Sequence, residues 1–313
     1  MIAFIDDHRR SALKQRSGSA PIQLGVEPIC RLLQIAPSTY YDHKAKERDP
    51  DRRSARAKSD EVAKTLIKQS YDSSKGLYGV RKIWHDLSRQ GHDLARCTIE
   101  RLMAQMGIQG VRRLKKVRTT IPDPAVACPL DKVQRTFHAP APNRLWISDF
   151  TYVQTRKGMV YVAFVIDVYA LKIVGWRVST CMDTGFVLDA LEQAVHDRRA
   201  HARDGLIHHS DRGSQYVSIK YTTRLADVGI EPSVGSVGDS YDNARAETLI
   251  GLFKAEVIWR QASWKSADEV EWETLRWVHW YNTTRLLSTI GYRSPVEAER
   301  DYYAHLKKLE LTE

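Results

Sequence analysis

Leu145-Trp-Ile-Ser-Asp-Phe-Thr-Tyr-Val153 is the stretch on which the fold turns. Apolar, aromatic and β-branched residues alternate through it, as they do along a strand with one buried face. Asp149 stands in its middle. A carboxylate among Trp146, Ile147, Phe150 and Tyr152 is costly to desolvate unless a partner or a cation meets it. Alternation also allows it simply to face solvent. Two similar runs, 159–168 and 171–178, follow after Arg156-Lys-Gly and a short turn. Three antiparallel strands in succession are therefore expected. Patterning then marks a helix over 186–195, a short strand over 206–209, a helix over 219–228 and a strand over 231–234. A long helix starts near residue 241. This order describes an α/β fold, a mixed sheet flanked by helices.

Two further acids sit in distinctive settings. Asp211 closes the short fourth strand, in His209-Ser-Asp-Arg-Gly-Ser-Gln-Tyr, where Gly213 lets the chain turn away. Taken alone, an Asx-turn aspartate is the commoner role there. Glu247 lies at the edge of a helical stripe made by Ala246, Leu249, Ile250, Phe253 and Val257. Lys254 follows two turns later on nearly the same face, about 10 Å along the axis. Each of these is an ordinary surface residue when read singly. Together, acids from two strands and a helix form a hard-oxygen set for divalent cations, the chemistry of phosphoryl transfer on nucleic acid. Asp167, also on a strand, reads instead as a structural acceptor at the strand's end. His208 and His209 have no C-x-x-C companion, which argues against zinc.

Composition agrees with a nucleic-acid partner. The 313 residues carry 48 Lys and Arg against 38 Asp and Glu, a net charge of +10. Such a balance favours a polyanion. The length suits about two domains. Cys30, Cys97, Cys128 and Cys181 are scattered, so a reducing compartment is expected. Met1-Ile-Ala-Phe-Ile meets Asp6 and Asp7 too soon for a signal peptide. The longest apolar run, 159–166, falls far short of the ~20 residues of a membrane helix. A cytoplasmic chain without membrane association follows as the expectation.

The N-terminal half reads as helical and basic. Within 1–58, residues 25–41 suit two short helices with a turn at Ile35-Ala-Pro and Ser38 as a cap. An ordinary helical hairpin explains that pattern equally well. Residues 44–58 form a charged linker or a solvated helix face, and 11–24 an insertion without an account. Within 59–118, Val80, Ile83, Trp84 and Leu87 keep helical spacing up to Gly91. Ile99, Leu102, Met103 and Met106 do so up to Gly107, a second helix-turn-helix pattern. Arg112, Arg113, Lys115, Lys116 and Arg118 come next, placed for phosphate contact or for a solvated linker. Prolines at 122, 124, 129, 140 and 142 mark a linker over 119–142. The strand-rich core is expected over 143–300 and a tail over 301–313.

The core motifs, read together, carry a specific resemblance. They are Leu145-Trp-Ile-Ser-Asp-Phe-Thr-Tyr, Phe164-Val-Ile-Asp-Val-Tyr, Ile173-Val-Gly-Trp, His209-Ser-Asp-Arg-Gly-Ser-Gln-Tyr and Gly238-Asp-Ser-Tyr-Asp-Asn-Ala. Trp280-Tyr-Asn with Arg285, Gly291-Tyr and Pro295, and Tyr78-Gly-Val-Arg-Lys-Ile with Arg101-Leu-Met, extend it over most of the chain. The chain resembles the OrfB-type transposases of the IS-three insertion-sequence family, relatives of retroviral integrases. The resemblance implies a ribonuclease H-like, mixed five-stranded sheet with flanking helices, preceded by a helical region with helix-turn-helix units. It implies a triad of Asp149, Asp211 and Glu247, the latter two separated by 35 residues (247 − 211 − 1). These would bind two Mg²⁺ ions, with Mn²⁺ as a substitute. Lys254 is implied as a DNA-end contact, and Asn243 and Gln215 as weaker positioning groups. Arg245 departs from the family, where an apolar residue is common, and Leu287 stands where histidine is frequent. The implied partners are DNA ends and target, an upstream OrfA or OrfA-OrfB fusion, and further copies in a synaptic complex. A bacterial, nucleoid-associated setting goes with them. Because the chain opens on its own Met1 and lacks a long heptad run, it reads as the unfused product.

The leading expectation is thus metal-dependent cleavage and strand transfer at insertion-sequence ends, serving DNA recombination and integration. A non-catalytic DNA-binding or regulatory copy, and a simple metal nuclease on the same fold, are the rivals.

Overall fold

The computed structural model describes residues 1–10, 12–13, 22–23, 25–112, 139–198, 205–210, 219–234 and 244–311. The chain divides into two compact units, Met1–Gln69 with Cys97–Gly107, and Ser70–Arg96 with Ile108–Glu313.

The first unit opens with α1 (Ile2–Arg10). A two-residue ladder follows, between β1 (Ala12–Leu13) and β2 (Ile22–Gln23), within the stretch that the sequence left without an account. Helices α2 (Val26–Leu32) and α3 (Pro37–Arg48) come next. Ile5, Ile29, Cys30 and Tyr40 form their small core. The Tyr40 hydroxyl donates to Asp6 at 2.6 Å, and Lys44 pairs with the same carboxylate at 2.5 Å. Ser38 does not cap α3. Pro37 occupies the first helical position with Ala36 before it, because proline has no N–H to satisfy and a φ already set for a helix. The long α4 (Ala55–Ser73) and α6 (Arg96–Gln105) complete this unit, while α5 (Val80–Arg89), between them in the chain, belongs to the second unit. The boundary drawn at 58 therefore falls inside α4. Gly91 and Gly107, at φ 87° and 65°, take the left-handed conformation just past α5 and α6, as their spacing predicts. Within the first unit, Arg101 grips Asp60 through two hydrogen bonds of 2.9 and 2.8 Å.

The second unit is built on β3 (Leu145–Thr155), β4 (Gly158–Asp167), β5 (Lys172–Ser179), β6 (Ile207–Ser210) and β7 (Glu231–Val234). Their order is β5-β4-β3-β6-β7. β3, β4 and β5 are antiparallel, while β6 runs parallel to β3 and β7 parallel to β6. The expected mixed five-stranded sheet is present. Helices α7 (Thr184–Asp197) and α8 (Ile219–Asp227) cover one face, burying Trp146, Val165, Phe186, Leu191 and Tyr221. Asp183 caps α7 by accepting from the Phe186 N–H. Gly175 permits close approach of β5 and α7, since a Cβ there would sit 2.0 Å from the Ala190 carbonyl oxygen.

On the other face lie α9 (Ala244–Glu256) and α10 (Ala267–Thr283). Phe164 of β4 meets Phe253 of α9 edge-on at 5.2 Å and Trp277 of α10 at 6.0 Å. The Asn282 carboxamide bonds both the N–H and the C=O of Ile173, at 3.0 and 2.8 Å. It satisfies the backbone of the edge strand as a neighbouring strand would. Buried Arg285 pairs with Glu256 at 2.5 Å, and the Trp277 indole donates to the same carboxylate. The Tyr78 hydroxyl donates to the Thr284 carbonyl and accepts the Leu286 N–H. Tyr78-Gly-Val-Arg, assigned from sequence to a helix-turn-helix, is thus anchored at the end of α10. α11 (Pro295–Glu310) starts with a reciprocal Ser294–Glu297 capping box and runs on through residue 300, where the tail was expected.

Asp167 is the structural acceptor that its place on the strand suggests. It takes the N–H groups of Asn143 and Tyr169 at 2.7 and 3.0 Å and faces Arg198. Burial pushes its carboxyl up.

Candidate active site

Asp149 faces the side of the sheet that carries α9. Its register partner on β4 is Phe164, and directly opposed residues of antiparallel strands share a face. The Phe164 ring packs on Phe253, so α9 lies over that face. Asp149 is half-buried, and one carboxylate oxygen accepts the Phe150 N–H at 2.8 Å. Glu247 stands in the first turn of α9, half-exposed, where the helix dipole favours negative charge. Lys254 lies on the same flank of α9, its ammonium 5.4 Å from the centre of the Tyr152 ring. That ring stands three residues beyond Asp149 on β3 and is 60% exposed.

The second edge of β3 brings in β6. Its register ends with Ser210 opposite Ser148, the residue before Asp149. Asp211 is the next residue of the chain and lies outside the described residues. Beneath this edge, His208 Nε2 is 2.7 Å from the Ser148 hydroxyl and 3.1 Å from that of Tyr221. Full burial, aided by neighbouring His209, lowers the His208 pKa to about 3, so the ring stays neutral there. His209 Nδ1 meets the Ser233 hydroxyl at 3.0 Å. Both histidines thus brace the short parallel strands that end beside Asp149.

A family model described as the integrase core domain matches residues 139–240, and a second of the same description matches 228–295. One described as an HTH-like domain matches 58–116. The transposase for insertion sequence element IS629 from Shigella sonnei is 56% identical over 284 residues, covering 91% of this chain and 94% of the relative. The chain is an IS-three family transposase. The transposase for IS904 from Lactococcus lactis keeps 33% identity over 241 residues, with 77% of this chain and 94% of that relative covered. The transposase therefore has the integrase catalytic core fold, belongs to the polynucleotidyl transferase type, and carries an HTH-like DNA-binding region.

In this transposase, Asp149 and the helix bearing Glu247 and Lys254 come to one face of the sheet. Arg112 is exposed, at the end of a described stretch in which the Val111 N–H bonds the Leu77 carbonyl. Gln215, Asn243, Arg113, Lys115, Lys116 and Arg118, like Asp211, lie outside the described residues. No group of three or more metal-binding side chains occurs among the described residues, and no helix among them is long and apolar enough to cross a membrane.

Two features escape the sequence reading. Tyr152 is one, although alternation alone turns it outward. The other is a gathering of cations from distant parts of the chain. The Lys75 carbonyl accepts from Arg260 at 2.7 Å, and the Lys75 ammonium lies 5.7 Å from the Trp280 ring. Burial, with Arg276 and Arg260 nearby, pushes the Lys75 pKa down. Nothing in the spacing of 75, 260 and 276 announces their proximity.

Proposed function

We propose that this transposase frees a 3′ hydroxyl at each end of its insertion sequence and joins it to target DNA by in-line phosphoryl transfer, with Asp149, Asp211 and Glu247 as the acidic set. One observation carries the reading: Asp149 shares a sheet face with the helix bearing Glu247, beside a parallel strand whose last residue is Ser210. In the first step water attacks phosphorus and the 3′ oxygen leaves. In the second, that 3′ hydroxyl attacks a target phosphodiester and the target's 3′ oxygen leaves. Each step forms one P–O bond and breaks one, with no covalent protein intermediate.

The donor chemistry fits a hard divalent cation, since carboxylate oxygens are what Mg²⁺ prefers. Two Mg²⁺ ions, or Mn²⁺ in their place, would be held by Asp149, Asp211 and Glu247 and would supply activation of the nucleophile and charge stabilisation at the leaving oxygen. The chain's own groups position the DNA. Lys254, beside Tyr152, meets a phosphate of the element end. Asn243 and Gln215 orient the strand, and Arg112, Arg113, Lys115 and Lys116 follow the backbone of the flanking duplex. The helical region to about residue 118 reads the ends, and the core over 143–300 does the chemistry. Joining two ends calls for at least two copies, and OrfA or its fusion adds end recognition.

The test is cleavage and joining of a labelled duplex of the element's terminal repeat in Mg²⁺, with wild type beside Glu247→Gln. Joined product should fall by at least about a hundredfold in the variant, the scale on which one charge-stabilising group acts, while DNA binding persists. Binding without chemistry in either protein, even with OrfA present, would establish the non-catalytic rival. Nicked ends that never join would establish the nuclease.

A further inference from the structure

We propose that the flank of α9 facing away from Glu247 holds a nucleotide pocket headed by Arg245, which receives one unstacked nucleotide of the bound DNA. The proposal rests on the strand-transfer reading and adds a DNA contact outside the triad.

The pocket is a cavity of about 380 Å³, within the range of small-ligand sites. Arg245, Thr248, Leu249 and Leu252 line it from α9. At ~100° per residue these four share one flank, and positions 247 and 254 fall roughly opposite. Arg245 is half-buried, and no hydrogen bond or ion pair holds its guanidinium among the described residues. Burial lowers its pKa, and among the described residues no carboxylate offsets that. The neighbouring guanidinium groups differ. Arg285 on the same cavity is held by Glu256. Arg293, which lines an adjoining cavity with Arg245, bonds Asp301 and the Ile290 carbonyl. A half-buried cation without a partner is costly, and an anion at the mouth of the cavity removes that cost.

The walls narrow the ligand class. Leu249, Leu252, Tyr281 and Leu287 are apolar surfaces that a bare phosphate would leave unfilled. A wholly apolar ligand would leave Arg245 unpaired. A phosphate attached to a flat, largely apolar ring satisfies both, and the Ser288 and Thr289 hydroxyls offer polar contacts for a base edge. That chemistry is a nucleotide. In a DNA-joining enzyme its source is a base turned out of the stack. A free mononucleotide has the same chemistry.

The experiment uses the full chain in a Glu247→Gln background, so that no cleavage intervenes. Duplexes of the terminal repeat carry 2-aminopurine at one position at a time near the transferred end. Fluorescence reports unstacking, and anisotropy reports binding in the same sample. The expected result is a severalfold fluorescence rise at one position, abolished by Arg245→Leu, partly kept by Arg245→Lys, and blocked by Thr248→Trp, which fills the cavity. Anisotropy should show each variant still bound. Deoxyadenosine monophosphate binding that needs Arg245, without any unstacking signal, would overturn the DNA source and assign the pocket to free nucleotide. Bound duplex with neither signal, or with a rise indifferent to Arg245→Leu, would overturn the pocket altogether. Failure of the parent chain to bind duplex would sink the strand-transfer reading as well.

Discussion

Lys254 and Arg285 show how much a side chain's surroundings decide its role. Both are cations set in apolar stretches of sequence. Arg285 is 4% exposed and is held by Glu256 from α9. Burial pushes its pKa down, but the Glu256 carboxylate more than restores it. Removing one partner leaves the other charge buried, which costs about 3–5 kcal/mol, whereas replacing both by apolar residues is often neutral. Glu256→Leu should therefore lower the thermal midpoint sharply, and adding Arg285→Leu should recover much of the loss. Equal midpoints for wild type and the single variant would refute the pair's importance. Lys254 instead stands over an exposed tyrosine at the strand that bears Asp149. If it meets a phosphate, Lys254→Ala should weaken binding to all duplexes alike and shrink the slope of log K against log salt by about 1. An unchanged slope in a titration from low to high salt would remove Lys254 from the interface.

Among the elements, β5 and α7 come close enough to exclude any side chain between their backbones. Gly175 sits where any side chain would strike the Ala190 carbonyl, so the helix packs directly on the strand. Gly175→Ala should push α7 outward and cost about 1–3 kcal/mol, the usual penalty for overpacking. Denaturant unfolding that shows no shift in midpoint would mean that the pair can slide apart freely. β5 itself is the sheet's edge, and Asn282 fills the place of a missing neighbour by bonding both backbone groups of Ile173. The Trp280-Tyr-Asn motif is thus a sheet-edge cover in this fold. Legibility differed between elements for a physical reason. The apolar, β-branched runs of β3, β4 and β5 stand out because helices cover both faces of the sheet there, α7 on one and α9 and α10 on the other. Helices α10 and α11 left little trace beyond the motif residues, since their buried positions are set by aromatic partners far away in sequence.

At the scale of the whole molecule, stability is coupled to pH through His208. Its folded pKa is depressed to about 3 from an ordinary value of 6.5. Its contribution is fully present above pH 6.5 and is lost as the pH falls through that window, because the unfolded chain binds the proton first. His208→Gln keeps a polar group that can hydrogen-bond Ser148 and Tyr221 but cannot take up the proton. Its stability should depend less on pH between 6.5 and about 3 than that of wild type. Parallel curves from denaturant melts across that range would rule out His208 as the titrating group.

The polarity pattern of the chain was enough for the element order, the mixed sheet and the helical basic half. These depend on periodicity, which is a local property of the residues. It was also enough for Asp167, whose place at a strand end already suggested bonding to backbone. Proximity lies beyond any local pattern. That Phe164 turns Asp149 toward the α9 side of the sheet, that Ser210 stops opposite Ser148, and that Tyr78 is tied to Thr284 and Leu286 all depend on strand register and helix packing. So does the isolation of Arg245. A guanidinium's partners are chosen by what folds beside it, and on that flank of α9 the fold brings a cavity and, among the described residues, no carboxylate partner.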